Sequence, residues 1–184
     1  MGKTPKKRGR DINGILVLDK PAGISSNGAL QHVKRLYNAN KAGHTGNLDV
    51  PASGLLPICL GEATKVSTYL LDSNKTYRAK CLLGVTTTTG DADGKTLLKK
   101  PVDKLSEIDI KKICTKFVGE IEQVPPMYSA LKHNGRRLYE LAYSGIEVER
   151  KARKITIHRI DLLDFKNKEF WIEVSCTKGT YIRT

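Results

Sequence analysis

The feature that most limits what this chain can fold into is a pair of alternating segments far apart in sequence. In Thr76 to Leu83, Tyr77, Ala79, Cys81 and Leu83 point one way and Arg78 and Lys80 the other. In Phe170 to Cys176, Phe170, Ile172, Val174 and Cys176 share a face. A period of two over that length predicts strands with one face on a core and one in water. A further strand is predicted over Ile155 to Phe165, turning near Asn167 into the second segment. Gly14 to Asp19 (GILVLD) is a continuous apolar run and reads as a strand buried on both faces. The order of elements lacks a βαβ rhythm. The expected fold class is therefore α+β, a mixed, largely antiparallel sheet with flanking helices.

Helices are expected between these strands. Ser25 or Ser26 can cap one that runs to about Tyr37, with Ala29, Leu30, Val33 and Leu36 inward and Lys34 and Arg35 at its C-terminal end. A second is expected over Ala63 to Leu71. A third covers Leu105 to Phe117, with Ile108, Ile113, Cys114 and Phe117 inward, Ser106 and Asp109 as a capping pair, and Gly119 at its end. Gly84 to Gly94 reads as a polar loop, and its Asp91 and Asp93 as turn residues rather than a calcium loop, which would need further ligands. Residues 124–154 hold Pro125-Pro126, many basic residues and scattered aromatics, and read as an excursion with a short helix over Arg137 to Tyr143.

Charge narrows the partner. Lysine and arginine number 32 against 19 acids, a formal net charge of +13, which favours a polyanion such as nucleic acid. The basic residues cluster: Lys3, Lys6, Lys7, Arg8 and Arg10 in a tail over residues 1–10 expected to order only on phosphate; Lys132, His133, Arg136 and Arg137; and Arg150, Lys151, Arg153 and Lys154. Cys59, Cys81, Cys114 and Cys176 lack paired-ligand spacing and read as reduced core thiols. No metal cluster, Walker loop or dinucleotide fingerprint is present. No apolar run reaches the roughly 18 residues of a membrane span, and residues 1–10 lack the apolar stretch of a secretory signal. A cytoplasmic, monomeric protein without a cofactor is expected.

One carboxylate stands out. Asp49 lies in GHTGNLDVPASGLLPICLGEATK, residues 43 to 65, where Gly43, Gly46, Gly54 and Gly61 permit unusual backbone angles and close approaches. His44 and Thr45 add polar groups. This much backbone permission around one acid suits a polar ligand brought close to a fixed Asp.

These residues resemble the catalytic motif of the TruB family of tRNA pseudouridine synthases. The likeness extends from about Asp11 to the end of the chain. Lys20-Pro21-Ala22-Gly23-Ile24-Ser25-Ser26 resembles the family's KPxGxTS element. Tyr77 lies in a segment like its YxxxxxxG strand, Pro125 to Leu138 is similar to its RNA-gripping thumb, and Lys178 to Thr184 carries its KGTYIR motif. The resemblance implies isomerisation of a T-loop uridine, at position 55 of tRNA, to pseudouridine, within one catalytic domain over residues 11–184. It implies Asp49 as the catalytic carboxylate and His44 as a residue that helps hold the target nucleotide out of its stack. It implies Tyr77 stacked on the flipped uracil, Tyr181 lining the base pocket, and Arg183 paired with Asp49. The thumb would bring Lys132, Arg136, Arg137, Arg150, Lys151 and Arg153 to the RNA backbone of the T stem-loop.

The chemistry agrees with those roles. A uridine in a structured loop must leave its stack before its glycosidic bond is reached, and an aromatic face recovers about 1–3 kcal/mol of that cost. The rearrangement changes neither composition nor redox state, so no nicotinamide, ATP or metal is required. Attack on the base, attack on the sugar and removal of a sugar proton all remain open at Asp49. Two features depart from the family pattern. It reads LDP where this chain reads Leu48-Asp49-Val50-Pro51, and its fold continues beyond KGTYIRT into a C-terminal RNA-binding domain. A competing reading is an RNA-binding or remodelling protein whose catalysis is lost. A third is a phosphate-binding hydrolase using the glycine loop, which predicts metal-dependent nucleotide hydrolysis.

Overall fold

The structure is a computed structural model that describes residues 9–102 and 105–184. Most of the basic tail lies outside the described residues. Arg10 is described, and forms a parallel bridge with Ala39. The chain divides into two compact units, one running up to Ser73 and the other starting at Asn74.

In the first unit the order is β1 (Gly14–Lys20), α1 (Ser26–Leu36), β2 (Ala42–His44), β3 (Gly54–Leu60), a 3-10 turn (Gly61–Val66) and α2 (Ser67–Asp72). Strand β3 is central, antiparallel to both β1 and β2. Helix α1 starts at Ser25, whose side chain accepts from the Gly28 N–H at 3.0 Å. It buries Ala29, Leu30 and Val33 against Leu56, Ile58 and Leu60, with Leu16 and Leu18 completing the cluster.

Several expectations change here. Strand β1 is covered on one face only: Val17 is 70% exposed and Ile15 also faces out, because α1 packs on the face that carries Leu16 and Leu18. Leu36 is 81% exposed rather than inward. The chain turns after it through Asn38, at φ 49°, and Ala39 takes the core position instead. The helix expected over residues 63–71 is a 3-10 turn followed by the shorter α2. Of the four glycines around Asp49, only Gly54 and Gly61 have positive φ, at 127° and 54°. A Cβ at Gly61 would also collide with the Asn13 side chain and the Ile12 carbonyl.

The second unit runs β4 (Lys75–Leu82), β5 (Val85–Thr87), β6 (Thr96–Lys99), α3 (Glu107–Thr115), β7 (Gly119–Gln123), β8 (Lys132–His133), β9 (Arg136–Arg137), α4 (Leu138–Tyr143), β10 (Arg153–Lys166) and β11 (Glu169–Cys176). Its main sheet has the order β4-β11-β10-β7, antiparallel throughout. The alternation of β4 is as expected, and Tyr77 lies opposite Val174 in the ladder. Ile155, Ile157, Val174 and Cys176 form the core, with Tyr77, Ile121 and Ile182 packed against it. Asn167, at φ 59°, makes the turn between β10 and β11.

The polar loop after Gly84 opens with β5, which pairs with β6. In α3 the capping box of Ser106 and Asp109 forms, but Ile110 is the buried residue and Ile108, Ile113 and Phe117 are exposed. The helix packs on β10, and a single covered stripe leaves its remaining apolar residues in water. Strand β7 is an additional element. Among the described residues the architecture is α+β with antiparallel sheets, as the sequence implies.

Candidate functional site

Asp49 sits in the loop between β2 and β3, and the KPAGISS segment fastens that loop. Ser26, at 0% exposure, holds the residue before the acid from both sides. The Leu48 N–H donates to Ser26 Oγ at 2.8 Å, and the Ser26 hydroxyl donates to the Leu48 carbonyl at 3.1 Å. On the other side of the acid, the Gly23 N–H donates to the Val50 carbonyl at 2.8 Å. A turn then closes through the Ala52 N–H and the Asp49 carbonyl at 3.1 Å. Val50 and Pro51 are its central pair, so the proline takes the third position of the turn, where its ring restricts Val50. That is the local consequence of reading Asp49-Val50-Pro51.

Lys20 is the residue that sequence reasoning left without a role. It ends β1 opposite Gly54 and is wholly buried. Its Nζ donates to the carbonyls of Pro21 at 2.9 Å and Ile24 at 2.8 Å. Burial pushes its ammonium below the ordinary lysine range, and the Asp49 carboxylate partly offsets this. A buried cation therefore lies within the field of Asp49, supplied by the same unit. The KPAGISS resemblance includes Lys20 but assigns it no role, because its place beside Asp49 arises only when β1 meets the Asp49 loop.

His44 ends β2 opposite Ile58. Its ring is half-buried, and its Nδ1 is enclosed without a hydrogen-bond partner among the described residues. Thr45 is buried and donates its N–H to the Pro57 carbonyl at 3.2 Å.

The other candidates belong to the second unit. Tyr77 is half-buried on β4, its ring against the Ile157–Val174–Cys176 core. Tyr181 is clamped by Gln123 at the end of β7, through two bonds of 2.9 Å between the side-chain amide and the Tyr181 backbone. Arg183 is largely buried. Its guanidinium donates to the carbonyls of Thr89 and Tyr128, both at 3.1 Å, and lies 3.9 Å from Asp91. Asp91 in turn accepts from Thr89 Oγ1 at 2.5 Å and from the Asp93 N–H at 3.1 Å. The polar GDADG turn thus supports Arg183. Gly90, at φ 75°, lets the chain pass the Arg183 carbonyl, where a Cβ would sit 2.6 Å from the oxygen.

Of the basic set, Lys132, Arg136 and Arg137 are exposed on the β8–β9 hairpin, and Lys151 and Arg153 are exposed before and at the start of β10. Arg150 differs: its side chain is 20% exposed and pairs with Glu147 at 3.4 Å. No group of histidine, cysteine or acidic residues that could hold a metal ion occurs among the described residues. No described helix is long and apolar enough to cross a membrane.

Comparison with known proteins follows the same lines. A family model described as TruB family pseudouridylate synthase (N terminal domain) matches residues 34–182. The chain is 60% identical over 184 residues to tRNA pseudouridine synthase B of Nitrosococcus oceani, covering all of this chain and 60% of that protein. It is 57% identical over 180 residues to the protein of that name in Escherichia coli K12, covering 98% of this chain and 57% of the relative. The chain thus spans about 60% of the length of the curated relatives it matches. Among solved structures it resembles a chain of a Cbf5-Nop10-Gar1 complex, at 30% identity and TM-score 0.67, over 92% of this chain and 41% of that one. It also resembles a chain of an H/ACA RNP bound to a substrate RNA containing 2′-deoxyuridine, at 27% identity and TM-score 0.65, over 92% and 39%.

Proposed function

Because the chain belongs to the TruB family of pseudouridylate synthases, we propose that it converts a flipped-out T-loop uridine, at position 55 of tRNA, to pseudouridine with Asp49 as the catalytic carboxylate. The observation that carries this reading is the fastening of one acid: Ser26 and Gly23 grip Leu48 and Val50 on either side of it, and Lys20 is buried within its field. A loop that merely connects two strands needs no such hold. A carboxylate that must meet a reacting carbon within a fraction of an ångström does.

The remaining residues fit the same reaction. The bond from uracil N1 to the ribose C1′ breaks, the base turns, and C5 bonds to C1′. The C5 proton leaves and N1 carries a proton in the product, so atoms and electrons balance without a cofactor. Tyr77, backed by a packed core, supplies a rigid face for the extruded uracil. Tyr181 lines the pocket, held in place by Gln123. Arg183 pairs with Asp49 and keeps its charge in a dry site. His44 helps to hold the nucleotide out. Lys132, Arg136, Arg137, Arg150, Lys151 and Arg153 meet the backbone of the T stem-loop, within a thumb over residues 124–154 of a single catalytic domain. The protein acts as a cytoplasmic monomer.

The test is Asp49→Asn on a uridine-containing tRNA transcript. Release of tritium from C5-labelled uridine should vanish while tRNA binding persists. Unchanged release would remove Asp49 from the mechanism. Binding without product in the unaltered chain would favour an RNA-binding protein over an enzyme.

A further inference from the structure

Beyond the residues assigned above, the basic excursion carries three tyrosines, two of which, Tyr128 and Tyr139, meet the ring of the third, Tyr143. Tyr143 closes α4 and is 78% exposed. It is nevertheless held: its ring centroid lies 5.5 Å from that of Tyr128 at an interplanar angle of 79°, and 6.3 Å from that of Tyr139 at 72°. Both are edge-to-face contacts, which fix a ring by its quadrupole and leave much of its surface open. The Arg137 guanidinium lies 5.9 Å from the Tyr139 centroid, within cation–π range.

The support beneath these rings is firm. Leu138 and Leu141 anchor α4 in the interior. The Tyr139 N–H donates to the Ser129 carbonyl at 3.1 Å, and the Leu138 N–H to that of Leu131 at 2.8 Å. The Tyr128 carbonyl accepts from Arg183 at 3.1 Å. The ring of Tyr143 is thus both exposed and preorganised, so a flat partner would lose little ordering free energy on binding it.

The surrounding charge selects that partner. Arg136 and Arg137 are exposed on β9, which leads directly into α4, and Lys132 is exposed on its neighbour β8. An exposed aromatic beside several cations is the arrangement by which single-stranded nucleic acid is held: the base stacks and the phosphates are neutralised. We infer that Tyr143 is a stacking platform for an unpaired nucleobase of the RNA substrate, distinct from the uridine that reacts. The inference rests on the RNA reading proposed above. Tyr143 takes no part in the chemistry; it sets where the RNA lies on the protein.

The experiment uses the full 184-residue chain and a T stem-loop oligonucleotide carrying 2-aminopurine at each unpaired position in turn, other than the reacting uridine. Kd is measured across a salt series. Tyr143→Phe keeps the ring and should bind within about twofold of the unaltered chain. Tyr143→Ala should weaken binding by about five- to 150-fold. The slope of log K against log salt should stay the same, because no phosphate contact is lost, whereas Arg136→Ala should lower it by about one. One 2-aminopurine position should lose its quenching in Tyr143→Ala alone. If Tyr143→Ala binds like the unaltered chain, or Tyr143→Phe is as weak as Tyr143→Ala, or the slope falls, the platform is disproved. If the unaltered chain binds no RNA, the RNA reading itself fails and takes this inference with it.

Discussion

Gln123 holds Tyr181 by both polar groups of its backbone. The amide Nε2 donates to the Tyr181 carbonyl, and the Tyr181 N–H donates to Oε1, each at 2.9 Å. The pair joins the end of β7 to a segment 58 residues away, in the way a strand neighbour would. Gln123→Glu keeps the acceptor and removes the donor. It should destabilise the protein by about 1–3 kcal/mol through the Tyr181 carbonyl left without its bond, seen in urea denaturation. Gln123→Ala, which removes both, should cost more. If Tyr181 lines the base pocket, both variants should also slow single-turnover pseudouridine formation.

Ser26→Ala removes the two bonds to Leu48 without changing the size of the residue much. The loss should be about 1–3 kcal/mol, measured by denaturant midpoint. Because Leu48 precedes Asp49, kcat should fall more than KM rises. A variant of unchanged kcat would show that the Asp49 loop holds its shape without Ser26.

Lys20 predicts an alkaline response. Its ammonium is disfavoured by burial, so its native proton affinity is depressed below the ordinary value of 10.5. Between that depressed value and 10.5 the unfolded chain binds more protons at this site than the native one, so Lys20 adds to stability as pH rises through that window. Lys20→Met, which cannot titrate, should lack the gain. The stability difference between the two proteins should therefore shift towards the unaltered chain from neutral to alkaline pH, and a pH-independent difference would contradict this.

Glu173 contributes to the acid side. It accepts from Arg78 at 2.8 Å and from Arg159 at 3.0 Å, and the Arg78 hydrogen bond above all holds its carboxyl below the ordinary glutamate range. Its contribution is complete above the ordinary glutamate value and is lost as pH falls through the depressed one. Glu173→Gln should thus lower the melting temperature near neutral pH and show a shallower acid decline. Equal slopes on the acid side would place the acid sensitivity elsewhere.

If the β8–β9 hairpin meets phosphates, tRNA affinity should fall steeply with salt, and replacing Lys132, Arg136 and Arg137 together with alanine should reduce the slope of log K against log salt by about three on duplex RNA, less on single strands. A flat salt response in the unaltered chain would exclude this surface from RNA binding.

The legible parts of the fold were those in which local pattern and tertiary burial agree. Tyr77 faces the core because β4 alternates and β11 alternates beside it. Ser106 and Asp109 cap α3 because the capping contacts lie within one turn. Strand β7 escaped because Gly119, Ile121 and Gln123 share the covered side of GEIEQ and only Ile121 among them carries an apolar side chain, too little alternation to register. The inward face of α3 was misplaced because a helix's apolar residues do not say which of them a neighbouring strand will cover. At the site, Asp49 stood out through the glycines around it, while the role expected of it and of the KGTYIR segment came through resemblance. The burial of Lys20 and the clamp made by Gln123 were not legible, since both contacts form only when distant segments meet.

The grip of Ser26 on Leu48 has a spectroscopic consequence. The Leu48 amide finds its acceptor in a hydroxyl rather than in a strand, so its exchange with solvent deuterium follows the opening of that one contact. A single amide, next in sequence to Asp49, therefore reports how often the loop comes loose, separately from the unfolding of the sheet on which it is mounted.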